Sequence, residues 1–360
     1  MGYRAFIFTA ALAACAHAAI IRVPGDQPTI QAGLDSASEG DTVLVASGTY
    51  TGAGNRNLDF RGRDLVLESE AGAEATVIDC ERAGRGLSFH SGETAASVVN
   101  GFTIAAGMAR EGGGVACLSS NPTFTDCTIT NNSAESGGGV ACHSSNPTLT
   151  DCTITNNSAE SGGGVACLSS NPTLITCRIA ANTVEMGGGG MGCIFSSPAL
   201  TGCTITGNTT TYSHGGAIAL FESLPRLTNC TINGNSATNG SGGSLWIFDS
   251  NPSLTNCILW GNEPDEISGA HHYPGDPRIR YCDVEGGWDD VGNINVDPLF
   301  VSIPGFSNLL RPGSPCIDAG DPSISDGVGD WHPRWPDWYP NGARSDMGAY
   351  GGPGNARWLP

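Results

Sequence analysis

The sequence contains no lysine, so all 16 of its basic residues are arginines. Charged residues make up only 14% of the 360 residues, and the acidic ones dominate, with a formal net charge of −19. Nucleic-acid affinity comes mainly from cationic side chains that neutralise phosphates. The composition therefore excludes a typical nucleic-acid-binding protein, and we expect no such partner.

Long hydrophobic runs are also missing, and no stretch approaches the roughly 20 apolar residues that a membrane span needs. The first residues place Arg4 before a short apolar stretch, and "AHA" stands before Ala19. This pattern predicts a signal peptide at residues 1–18 and export of the rest. "LAAC" at Leu12–Cys15 resembles a lipobox, so a lipid anchor at Cys15 is the alternative.

Helical patterns are nearly absent, in keeping with 52 glycines and 21 prolines. The exception is "PTIQAGLDSA" at residues 28–37, where Ile30, Leu34 and Ala37 share one helical face. We expect this helix to cover an open end of the repeat structure described next.

What the sequence does have is a repeat. Residues 121–145 read "NPTFTDCTITNNSAESGGGVACHSS", and residues 146–170 read "NPTLTDCTITNNSAESGGGVACLSS". A period in the twenties indicates a solenoid. Segments such as "CTIT" and "GVAC" alternate as short strands do, and no part of the repeat has room for a ten-residue helix. The predicted fold class is all-β, a parallel β-helix with one repeat per coil.

Equivalent positions of the repeat predict local structure. The residue before the first cysteine is mostly Asp, Asn or Gly, types that tolerate a left-handed backbone, so we expect a bend there. A recurring asparagine suits a ladder of amides that hydrogen-bond from coil to coil. The GGG runs predict tight corners without space for a Cβ atom. The recurring asparagines are Asn132, Asn157, Asn182, Asn208, Asn235 and Asn262. The GGG runs begin at Gly112, Gly137, Gly162 and Gly188.

Two series of cysteines recur with the coils. The slot of Cys117, Cys142, Cys167 and Cys193 is later filled by Leu220 and Ile247, so it suits a buried apolar side chain. We expect mostly buried thiols. Disulfides between coils are an alternative, since export favours oxidation, and a metal site is a third although the spacing is not a zinc pattern.

The C-terminal part has no period, and we expect residues 301–360 to form a cap module on a β-helix of residues 19–300, with regular coils at about 112–284. "VPGDQPTIQAGLDSASEGDTVLVASGTY", the GGG repeat, "CDVEGGWDDVGNINVDPLF" and "PGSPCIDAGDPS…DMGAYGG" together resemble bacterial secreted right-handed parallel β-helix proteins. These have the pectin-lyase-like fold, and many carry a C-terminal choice-of-anchor Q module. The resemblance implies a secreted or cell-surface bacterial protein and leaves function open, because a fold does not fix function.

Enzymes that resemble this fold act on acidic polysaccharides. A lysine-based lyase is excluded here, and the carboxylate pair of a hydrolase would have to be Asp126 and Asp151, which occupy the bend position. We favour a turn role for both residues. A catalytic site is expected only where the repeat is irregular, in residues 50–115 and 262–345.

Calcium is the one ion for which the sequence offers ligands, and no cofactor is required. One candidate is a column of carboxylates on successive coils that calcium would bridge; the alternative is that these carboxylates are only solvated and bind no ion. The other is a glycine-rich loop that matches no EF-hand, with an Asx-turn as the alternative. The column is Glu135, Glu160 and Glu185, and the loop holds Asp321, Asp326 and Asp330.

Trp246 and Trp260 take outward positions of the repeat, and we expect them to lie on consecutive coils. They are candidate glycan-binding residues, because exposed tryptophan stacks on sugar rings. The alternative is that the Trp-rich segment at residues 330–340 covers them. We predict an exported, non-catalytic β-helix that presents a long surface for glycan binding or adhesion. The alternatives are a polysaccharide lyase or glycoside hydrolase, and a structural cell-surface component; the sequence does not predict the oligomeric state.

Overall fold

The computed structural model describes residues 18–270, 277–303, 306–325, 342 and 344–352. Within them the chain winds into a parallel β-solenoid, in which each coil adds short strands to sheets that run the length of the molecule. The all-β solenoid predicted from the repeat is confirmed. The predicted signal peptide and Cys15 lie in residues 1–17, outside the described residues.

Four parallel sheets form the walls, numbered in the order in which a regular coil meets them. Sheet 1 contains Ile20–Val23, Thr42–Val45, Val66–Ser69, Val98–Asn100, Thr123–Thr125, Thr148–Thr150, Thr173–Ile175, Ala199–Thr201, Arg226–Thr228, Ser253–Thr255 and Arg278–Arg280. Sheet 2 contains Gly48–Tyr50, Thr76–Asp79, Thr103–Ala105, Thr128–Thr130, Thr153–Thr155, Arg178–Ala180, Thr204–Thr206, Thr231–Asn233, Ile258–Trp260 and Asp283–Val284. Sheet 3 contains Met108–Glu111, Ser133–Ser136, Ser158–Ser161, Thr183–Val184, Thr209–Thr210 and Ser236–Ala237. Sheet 4 contains Leu58–Asp59, Leu87–Phe89, Val115–Leu118, Val140–His143, Val165–Leu168, Met191–Ile194, Ile218–Phe221, Leu245–Phe248 and Ile267–Ala270.

The interior is a set of side-chain columns. Ile129, Ile154 and Ile179 are in register on neighbouring strands of sheet 2 and fully buried. All 13 described cysteines are buried free thiols, in agreement with the expectation from the Leu220 and Ile247 replacements. Identical side chains in register let each coil bury its apolar face against the next, which is the stabilising contact in a solenoid.

The bends and corners follow the sequence pattern. At the bend between sheets 1 and 2, Asp126 and Thr176 both have a φ of 51°, in the left-handed region. At the corner between sheets 3 and 4, Gly137 has a φ of 67°, and a Cβ there would lie 2.4 Å from the carbonyl oxygen of Val140. Both predictions are confirmed, and they rest on backbone conformations that only certain residue types adopt at low cost.

The predicted asparagine ladder is present and buried. The Oδ1 atom of Asn182 accepts from the backbone N–H and from Nδ2 of Asn157, both at 3.0 Å. The Nδ2 atom of Asn182 donates in turn to the Ile154 carbonyl and to Oδ1 of Asn208, both at 2.9 Å. Each amide therefore satisfies polar groups on three coils, which removes the cost of burying them.

A carboxylate terminates this ladder. Asn262 donates its backbone N–H to Oε1 of Glu266 at 3.0 Å and its Nδ2 to Oε2 at 2.7 Å. Glu266 is only 7% exposed, and this burial raises the pKa of Glu266 to about 7, although the two hydrogen bonds from Asn262 favour the ionised form. Glu266 therefore titrates near neutral pH in the folded protein.

We expect Glu266 to make stability fall between about pH 4.5 and pH 8. Its folded pKa lies above that of an unfolded glutamate, so the stabilisation is fully present below the unfolded pKa and is lost as the pH rises through the folded one. The 2.5-unit difference between about 7 and the ordinary 4.5 corresponds to about 3 kcal/mol. Urea midpoints at pH 5 and pH 8 should show a steeper decline for the wild type than for Glu266→Gln. Equal declines would contradict the account.

The two ends differ in structure. The predicted helix spans Ile30–Ser36, with Thr29 as its N-cap, and packs Ile30 and Leu34 against the first coils. Beyond the last coil, Trp288 packs against the same core from a loop. Strands Phe300–Ile303 and Phe306–Leu310 pair as an antiparallel hairpin. No helix in the described part of the chain is long and apolar enough to cross a membrane.

The described end of the chain lies along the side of the solenoid, at the column of bends. Nδ2 of both Asn229 and Asn256 lies 3.1 Å from Oγ of Ser345, and the N–H of Ala349 donates to the Thr231 hydroxyl at 2.9 Å. We expected this part to fold over the last coil, and in the described residues it also covers the bends of two successive coils. The domain boundaries themselves stay a prediction.

Candidate functional site

The two tryptophans predicted to bind glycans lie on different walls. Trp246 is on sheet 4 of one coil and Trp260 on sheet 2 of the next, so they lie on consecutive coils, as expected, but not on a shared surface. Trp260 is half-buried and packs with Leu310 and Met347 of the C-terminal part. Trp246 lines a surface depression.

That depression is a groove at the junction of sheets 3 and 4, which we call the sheet 4 groove. Its floor is a column of small residues in register, because the outward position of the repeated "GVAC" strand is alanine or glycine. Two adjoining depressions of about 100 and 200 Å³ share Ser161, Gly192 and Ile194. The floor consists of Ala141, Ala166, Gly192 and Ala219. One side consists of Glu111, Ser136 and Ser161, and the other of His143, Leu168, Ile194 and Phe221. Trp246 closes one end.

A strip of stacked aromatic rings borders this closed end. Trp246 lies nearly parallel to Phe248, with ring centroids 5.8 Å apart, and Phe248 stacks on Phe221 at 5.0 Å. Phe195 meets Phe221 edge-on at 5.8 Å and is 53% exposed. Alternate residues of a strand face the same side, and neighbouring strands stack their outward residues in columns, so the rings form one continuous surface.

The ring of Trp246 is held in place from its other side. His214 stacks on it at 5.1 Å with an interplanar angle of 12°. The backbone N–H of Ser241 donates to Nδ1 of His214 at 3.0 Å, which makes Nδ1 an acceptor and places the ring proton of neutral His214 on Nε2. A ring fixed in this way loses little conformational entropy when a ligand stacks on it.

The electrostatic environment of the groove is neutral to acidic. Glu111 is the one carboxylate among its described lining residues, and none of those residues is an arginine. Glu222 follows Phe221, and Asp249 follows Phe248, at the end of the aromatic strip. No strand of sheet 4 contains an arginine, and His143 is its one histidine. The described lining of the groove therefore offers mainly apolar and acidic contacts and no arginine for an anionic ligand.

The glutamate column lies on the outer face of sheet 3. Glu135, Glu160 and Glu185 are exposed, and Nε of Arg110 forms an ion pair with Glu135 at 3.1 Å. Among the described residues, no three His, Cys, Asp or Glu side chains come close enough to hold a metal ion. Asp321 accepts from the N–H and hydroxyl of Ser323. Asp326 and Asp330 lie outside the described residues, and calcium binding stays a prediction.

The expected carboxylate pair sits in the bends. Asp126 and Asp151 both have a positive φ, and the hydroxyl of Thr176 donates to Asp151, so the turn interpretation agrees with the structure. A different charged depression, of about 520 Å³, lies on sheet 1 in the irregular part of the repeat. It holds Arg278 and Arg280, and Arg280 is paired with Asp290 at 3.1 Å.

The aromatic strip was missed from sequence because we read each tryptophan alone. Its signal is the outward column that runs Leu118, His143, Leu168, Ile194, Phe221 and Phe248 on successive strands of sheet 4. This column can be read from the repeat alignment itself, because each member stands four or five residues after the end of a glycine run. His214 carries no such signal, because it lies in a loop between coils.

Comparisons with known proteins indicate the same fold as the structure. Residues 66–224, less than half of the chain, match the family model described as "Right handed beta helix region". No curated protein matches. Pectate lyase Pel9A is similar in structure, with a TM-score of 0.54 and 15% identity over 92% of this chain and 96% of that one. Pectin methylesterase from carrot gives a TM-score of 0.43 and 13% identity over 77% of this chain and 88% of that one, a likeness too low to carry an argument. At these identities the comparisons establish the fold alone: the chain is a right-handed parallel β-helix.

Proposed function

We propose that the protein is exported and binds glycans in the sheet 4 groove without cleaving them. The observation that carries the proposal is the strip of Trp246, Phe248 and Phe221 beside a concave floor of alanine and glycine. Exposed apolar patches bordered by polar residues mark interaction surfaces and binding grooves. The N-terminal "AHA" pattern supports export.

The alternative is that the protein is a structural cell-surface component whose molecules pack against one another. Such packing also requires an apolar surface along the side of the solenoid. Leu168 and Ile194, at the side of the sheet 4 groove, are 38% and 41% exposed, so this side of the groove provides such an apolar surface. Two copies related by a two-fold axis would, however, bring the same concave floor to face itself and leave unfilled space. A slender chain ligand fills a groove closed by Trp246 better than a second flat wall does.

A carbohydrate-active enzyme is the second candidate, favoured by the depression at Arg278 and Arg280. Its described lining has a single carboxylate, Asp290, whose pKa is lowered by the N–H of Val291 and by Arg280. A hydrolase needs two carboxylates with different pKa values, and arginine stays protonated at neutral pH. The depression therefore supports binding of an anion better than it supports catalysis.

The test is a glycan array combined with a polyuronate cleavage assay, with and without calcium, on residues 19–360. The proposal expects binding without release of unsaturated or reducing ends. Cleavage that disappears in the double variant Arg278→Gln, Arg280→Gln would replace it with the enzyme. No binding and no cleavage, together with self-association in sedimentation, would favour the structural alternative.

Trp246→Ala should weaken glycan binding at least about ten-fold, since a buried aromatic contact is worth more than about 1.4 kcal/mol. Trp246→Tyr should retain most of the affinity, because it keeps a flat ring in place. Leu224→Ala is the matched control: Leu224 is also apolar, is 55% exposed, and lies outside the groove. Isothermal titration of all three variants measures the effect. An unchanged affinity in Trp246→Ala would remove the groove from the proposal.

A further inference from the structure

We infer that the sheet 4 groove selects an uncharged polysaccharide built of gluco-configured pyranoses and rejects polyuronates. This inference rests on the proposed glycan binding and names its ligand class. It is carried by two independent features of the site: the charge of its surroundings and the shape of its aromatic surface.

The charge of the site excludes an anionic chain. Among the described residues that line the groove or follow its strands, the carboxylates are Glu111 on one side and Glu222 and Asp249 on the other, and none of these residues is an arginine. Between residues 115 and 262 the arginines are Arg178 and Arg226, and they lie on sheets 2 and 1. A uronate chain would bring its carboxylates beside these groups, with no arginine among the described lining residues to pair with, which disfavours binding.

The shape of the site requires a sugar with flat apolar faces. Phe221 and Phe248 stack with an interplanar angle of 4°, and Trp246 continues from Phe248 at 22°. Gluco-configured rings carry their hydroxyls equatorially, so both ring faces present C–H groups that pack on aromatic rings. A galacturonate ring has an axial hydroxyl as well as its carboxylate, and packs less well on such a surface.

The repeat of the solenoid indicates a polymer and not a single sugar. The floor residues Ala166, Gly192 and Ala219 are in register on successive strands, so the groove runs along the solenoid axis. Coils lie about 4.8 Å apart, so a ligand along this axis meets the same floor residue types at each step. Serine hydroxyls at the side, Ser136 and Ser161, provide polar contacts for the hydroxyl edge of a chain.

The experiment is a titration of residues 19–360 with cellohexaose as the neutral probe and with hexagalacturonate as the anionic one. We expect cellohexaose to bind at least ten-fold more tightly, with little dependence on salt, and Trp246→Ala to lose this binding. Glu222→Arg should raise the affinity for hexagalacturonate several-fold and leave that for cellohexaose within about two-fold. Melting temperatures of both variants check that they fold.

The outcomes separate this inference from the proposed function. Hexagalacturonate binding as tight as that of cellohexaose, and lost in Trp246→Ala, would overturn the neutral-chain inference while the glycan-binding groove stands. Hexagalacturonate binding that survives Trp246→Ala and is lost in Arg278→Gln would move the site to sheet 1 and overturn both. Binding of neither probe, with no hit on the glycan array, would also overturn both.

Discussion

Asn182→Leu is expected to lower the free energy of unfolding by about 3–6 kcal/mol. The substitution removes the acceptor of two donors on Asn157 and the donor to the Ile154 carbonyl, all of them buried. The loss of each bond costs about 1–3 kcal/mol, with the smallest cost at Nδ2 of Asn157, which keeps its bond to the Ile129 carbonyl. Leucine has the same branched arrangement of side-chain heavy atoms as asparagine, so it occupies the position with apolar groups that form no hydrogen bonds.

Urea unfolding followed by circular dichroism measures this effect, with Thr183→Ala as the matched control. Thr183 is the next residue in the chain and is exposed, so its loss should change stability by less than about 0.5 kcal/mol. If Asn182→Leu were no more destabilising than Thr183→Ala, the amide ladder would not contribute to stability.

Gly138→Val should destabilise the protein by at least about 4 kcal/mol. A Cβ atom on Gly138 would lie 2.5 Å from the Ser158 carbonyl oxygen and 2.7 Å from that of Gly163, both on the next coil. Backbone atoms of a packed strand cannot move aside as a flexible side chain does, so the two coils must separate. The hydrogen bond from the Gly138 N–H to the Gly162 carbonyl would weaken with them.

Gly207→Asn is the control for this prediction. Gly207 has a φ of 62°, and a Cβ there meets nothing within 4 Å. The chain itself places asparagine at the equivalent position of two other coils, Asn131 and Asn156, both with a positive φ. We expect a change below about 0.5 kcal/mol in the same urea titration. Similar losses for the two variants would mean that close approach of the coils is not what requires glycine at residue 138.

Much of the fold could be predicted from sequence because the determinants recur in each coil. The bend before Cys127, the corner at Gly137 and the amide of Asn182 each depend on residues within one coil and its neighbours. A repeat shows such determinants several times, so chance patterns are filtered out. The helix at Ile30–Ser36 was predictable for another reason, since its apolar spacing is local.

The rest depended on contacts that the repeat does not contain. Glu266 ends the amide ladder where the coil departs from the pattern, and nothing in "NEPDEI" distinguishes it from a surface glutamate. The contact of Ser345 with Asn229 joins residues 116 apart. The aromatic strip required knowing which outward residues stack side by side, and the sequence alone does not show that Trp246 and Trp260 lie on different sheets.

The most direct test of the account is a crystal structure of residues 19–360 soaked with cellohexaose. The account predicts sugar rings in the sheet 4 groove, one of them in contact with Trp246 and the chain following Gly192 and Ala219 along the solenoid axis. Sugar bound on sheet 1 beside Arg278, with the groove unoccupied, would contradict it.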